Sequence, residues 1–132
     1  MNPYQLIIGN WRIPSTMVPN TDEFMHIGAD GRLVHFVHPD STGTRVQAMT
    51  HWSEPLGENR FRVRGALQQA GWTVALIPTS SGMTIERNEL KFYLRRAADE
   101  DLPEWYHSRL EQALSRMSKL EAKQNEAEQA AP

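Results

Sequence analysis

Four of the five histidines, His26, His35, His38 and His51, fall in the first half of the 132-residue chain. Imidazole is the commonest metal ligand and titrates near neutral pH, so such a set suits metal, haem or proton-linked binding. The spacing fits no metal motif. Solvent-facing or hydrogen-bonded strand histidines account for it better, and no metal or cofactor is expected. His26 and His35 lie in segments with apolar residues on both faces, so alternation can turn either inward. His51 alternates against Val46, Ala48 and Trp52, and is expected to face out.

Trp52 and Trp72 could line a ligand cavity, because binding pockets are mostly apolar with a few placed polar groups. They fit a packed core at least as well. Arg60, Arg62 and Arg64 form a basic row on one strand face, able to meet a carboxylate or phosphate. The simpler reading is a solvated outer face paired with glutamates. The stretch Thr79-Ser80-Ser81-Gly82-Met83 lacks the glycine-x-serine-x-glycine elbow, and there is no glycine-rich phosphate cradle. The absence of cysteine excludes disulfides, thiolate nucleophiles and cysteine-bearing zinc sites. No catalysis is expected.

The composition bounds what could position these residues. One domain is expected at this length. The 14 basic and 16 acidic residues leave a net charge of -2, which supplies no general attraction to nucleic acid or anionic lipid. Neither is expected as a partner. The N-terminus has no basic stretch, and its apolar run covers only Leu6 to Ile8, so it does not read as a secretory signal. Cytoplasmic residence is expected.

From Gly9 to about Arg96, short alternating runs separated by turn residues read as β structure. Asp30-Gly31 marks a hairpin. Phe61 and Val63 share one face, as do Trp72, Val74 and Leu76. Gly71 marks a bend before that strand, and Asn88 begins a turn into the last. Seven or eight short consecutive strands favour an antiparallel up-and-down barrel over residues 1–100. The pattern then changes. Asp101-Leu102-Pro103-Glu104 fits a capping box, and Tyr106, Leu110, Ala113, Met117 and Leu120 form one helical stripe. An amphipathic helix is expected over 101–121, docked on outer-face residues such as Val34 or Ile77, with a frayed polar tail over 122–132.

The opening motif Gly9-Asn10-Trp11, ahead of an antiparallel meander and a C-terminal helix, resembles the lipocalin or calycin pattern. The resemblance spans about residues 6 to 97. It implies that Trp11 packs across the closed end of a barrel, with an arginine from the last strand lying over its ring and capping nearby carbonyls. Arg96 is the matching position, by parity with Leu90, Phe92 and Leu94, whereas Arg95 shares a face with Lys91 and Tyr93. The β region is shorter than in the transport lipocalins, which narrows the lumen, and small barrels tend to be filled by their own side chains.

Two functions remain open. One is a non-enzymatic barrel holding a small apolar or amphipathic ligand, with His26 or His35, Trp52 and Trp72 as lining candidates. The alternative is a filled barrel acting as an interaction or assembly module through its outer face and C-terminal helix, for example as a homodimer.

Overall fold

The computed structural model describes residues 2–13, 22–37, 46–65 and 70–130. His38 lies outside the described residues. Eight strands form: β1 (Gly9–Ile13), β2 (Glu23–Ile27), β3 (Arg32–Val37), β4 (Gln47–Gly57), β5 (Arg60–Arg64), β6 (Trp72–Pro78), β7 (Met83–Arg87) and β8 (Leu90–Arg96). Each pairs antiparallel with the next, and β8 closes the ring on β1 through Trp11↔Arg96 and Arg12↔Arg95. The molecule is a closed up-and-down β-barrel with one long C-terminal helix.

Local chemistry fixes the turns. Asn59 and Asn88 adopt φ of 59° and 56° between paired strands, a conformation asparagine tolerates better than most residues. Gly71 has φ +76°, and a Cβ there would lie 2.3 Å from the Val63 carbonyl oxygen. Only glycine lets the chain enter β6 so close to β5.

Alternation sends side chains to two separate apolar layers. Inside the barrel pack Tyr4, Ile7, Trp11, Ile27, Leu33, Phe61, Val63, Val74, Leu76, Met83 and Leu94. Outside it, Phe24, Val34, Phe36 and Trp52 pack beneath Tyr106, Leu110, Ala113 and Met117 of the helix. The wall formed by β2, β3 and β4 is therefore apolar on both faces.

Helix α1 (Tyr106–Ala130) lies across β3 and β4. Val34 is beneath it, whereas Ile77 does not belong to the layer it covers. It begins later than the capping-box reading placed it. Asp101 instead closes a preceding 3-10 turn (Asp99–Asp101), its carboxylate accepting the Ala98 N–H at 3.1 Å. The helix also continues past 121, so the frayed tail is corrected as far as Ala130. Alanine, glutamate, lysine and glutamine favour helix even where no apolar stripe is buried, and Gln124 donates to Glu128 one turn on. Leu120 leaves the stripe and is 49% exposed; Glu121 takes its place against the barrel. There it accepts a two-pronged hydrogen bond from Arg32 and another from Trp52 Nε1, the latter at 2.7 Å. The apolar stripe that could have carried a homodimer is covered by the chain's own wall.

Among the described residues, no helix is long and apolar enough to cross a membrane.

Candidate functional site

The two ends of the barrel differ. At one end the chain before β1 folds underneath, with the Ile7 and Ile8 N–H groups both donating to the Tyr4 carbonyl. Tyr4 packs on Phe61 at 5.1 Å between centroids, and its hydroxyl pairs with Ser53 Oγ at 2.9 Å. Trp11 is buried beside them and donates Nε1–H to the Ile7 carbonyl at 2.9 Å. The Arg96 guanidinium lies 4.3 Å from the centre of the indole. From there it donates to the carbonyls of Ile8 at 2.7 Å and Leu6 at 2.9 Å. Gly9, at φ +131°, makes room: a Cβ there would stand 2.9 Å from Arg96 Nη1. Of the two arginines ending β8, Arg96 is the one on the ring, while Arg95 sits on the outer face opposite Arg12.

At the other end the inward residues stay partly exposed. Register places Met25, His35 and Met49 side by side, and Phe92 opposite Ile85. His35 Nε2 donates to Glu23 Oε1 at 2.7 Å. His51 meets Trp72 edge-on at 5.5 Å, and Arg87 covers the same indole at 4.6 Å. Burial, helped by the nearby His35, lowers the His51 pKa below its ordinary value and favours the neutral ring.

The four sequence-derived lining candidates divide between the two faces of the wall. His35 and Trp72 point into the open half. His26 and Trp52 do not: both lie on the outer face, against the helix. His26 Nδ1 donates to Asn10 Oδ1 at 3.1 Å, and the same oxygen accepts the Tyr106 hydroxyl at 2.7 Å. Burial lowers the His26 pKa and raises that of Tyr106. His51 corrects the sequence reading in the opposite sense. It was assigned outward because Val46, Ala48 and Trp52 took the other face, but that face is the one the helix covers. Arg87, Glu23, Met49 and Phe92 were not singled out from the sequence. Arg87 carried a signal nonetheless, alternating with Met83 and Ile85 in β7.

The basic row is an outer face, with Arg62 reaching Glu54 at 3.3 Å. Among the described residues, no three histidine or acidic side chains gather as a metal set. Chemically, the open half offers an apolar wall, an imidazole–carboxylate pair, a near-neutral imidazole and a stacked guanidinium. Such a surface can hold an apolar body and orient one polar group.

Fold and site together define a closed eight-stranded antiparallel barrel, filled at one end and, among the described residues, partly exposed along its inner wall at the other. The chain matches no protein-family profile, no curated protein and no solved structure.

Proposed function

We propose that the chain is a lipocalin-like, calycin-type binding protein that holds a small apolar or amphipathic molecule in the open half of its barrel, without catalysis. One observation carries this reading. Along the inward face of β8, exposure rises from 2% at Leu94 to 48% at Phe92 and 61% at Leu90. A barrel filled throughout would cover all three. Burying a Leu or Phe side chain is worth about 1.5–3 kcal/mol, so a molecule covering these positions gains a comparable amount. The Gly9, Trp11 and Arg96 arrangement supports the family likeness but does not bear on the ligand.

An uncharged fluorescent probe, N-phenyl-1-naphthylamine, tests the reading by titration. Saturable binding of one probe per chain is expected. Met49→Trp, which fills the mouth from its inward position, should weaken it strongly. Absence of saturable binding, or binding indifferent to Met49→Trp, overturns the assignment.

A further inference from the structure

We infer that the molecule held in the open half is an amphipathic anion whose single negative head, a carboxylate or a similar group, is received by Arg87. The inference rests on the binding reading above and names its ligand class. Arg87 pairs with Leu90 across the β7–β8 hairpin and shares the inward parity of Met83 and Ile85. Its guanidinium stacks on Trp72, which in turn is braced by the edge of His51. Stacking engages the face of a guanidinium and leaves the in-plane N–H fork available for a planar anion.

Nothing within the described chain takes that fork. Among the described residues, no carboxylate forms an ion pair with Arg87. Its neighbour Glu86 alternates to the outer face and pairs with Lys91 at 3.1 Å. Glu23, the inward carboxylate at this end, is engaged by His35. The described residues of this half therefore present an exposed guanidinium with no carboxylate partner, on the same inner wall as Ile85 and Phe92. An uncharged acceptor gains less from that fork than an anion does, and a cation is repelled by it. A second negative group would meet Glu23. One anionic head at the rim with an apolar tail directed inward suits all of these groups.

Calorimetric titration of the full chain with decanoate, decanol and decylammonium at pH 7 separates the possibilities. Decanoate should bind about tenfold more tightly than decanol, the scale of one charge-assisted hydrogen bond. Decylammonium should bind most weakly. Arg87→Gln should bring the decanoate-to-decanol ratio close to one, whereas Arg95→Gln, on the outer face, should preserve it. Equal binding of acid and alcohol, a preference that survives Arg87→Gln, or its loss in Arg95→Gln overturns the anion assignment while the barrel remains a binding site. Failure of every decyl probe to bind overturns both readings.

Discussion

Leu94 and Phe92 stand two residues apart on one strand and one face, yet the first is enclosed and the second meets solvent. The same alternation produces both ends of the barrel, so alternation is not what closes one of them. Closure comes from the segment before β1, where Tyr4 and Ile7 enter beneath the sheet and Trp11 fills the base. Among the described residues, no comparable group of side chains buries Phe92 or Leu90 at the other end. A barrel can thus fill its base while the inner wall two residues further along a strand stays exposed.

The largest effect expected from breaking this contrast is at the base. Trp11→Ala should cost about 3–5 kcal/mol in denaturant unfolding, as for other buried large aromatics. Arg96→Ala should cost less, and the double mutant should fall short of the sum by at least about 0.5 kcal/mol, because one side chain covers the other. Additive losses would show that the two do not act as a unit. A second test moves along β8. Leu94→Ala should destabilise by about 2–4 kcal/mol, whereas Phe92→Ala should change stability by no more than about 0.5 kcal/mol. Equal losses at the two sites would erase the distinction between the ends.

The smallest effect concerns pH. His51 in the open half and His26 beneath the helix both fold with lowered pKa, so below their ordinary 6.5 the unfolded chain binds more protons than the folded one. Their contribution is present above 6.5 and is lost as pH falls through the lowered folded values. Thermal melts between pH 7.5 and 5 should show stability declining, with a shallower decline in His51→Gln. An unchanged slope in that variant would place His51 in solvent.

The strand count to within one, the antiparallel order and the helical stripe as far as Met117 were legible in the sequence, because period and turn chemistry are local signals. Which face of a strand lies inside was not. Val34 and Leu33 adjoin in β3 and both are buried, one under the helix and one in the lumen. Where a helix covers the outer wall, hydrophobicity marks both faces; for that single reason the lining options at His26 and Trp52 and the outward placing of His51 part from the structure, although Trp52 is packed in a core. Arg96 was readable because β8 has no helix over it and its outer residues, Lys91, Tyr93 and Arg95, are exposed. The Glu121 contact was invisible for another reason. A carboxylate continuing an apolar stripe is recognisable only once Arg32 and Trp52 are seen to meet it.

Among the described residues, the pairing between β1 and β8 spans two positions, where β1 and β2 share five. This seam joins the two ends of the sheet, so it closes the longest loop of any strand pair and carries the largest loop-closure entropy. An opened seam would expose two unpaired strand edges, each a template for another chain. Arg96 reaches across it to the Leu6 carbonyl, 90 residues away in sequence, and fastens the last strand to the segment that leads into the first. The cation on the indole is therefore also a clasp across the seam, holding together edges that would otherwise stand unpaired.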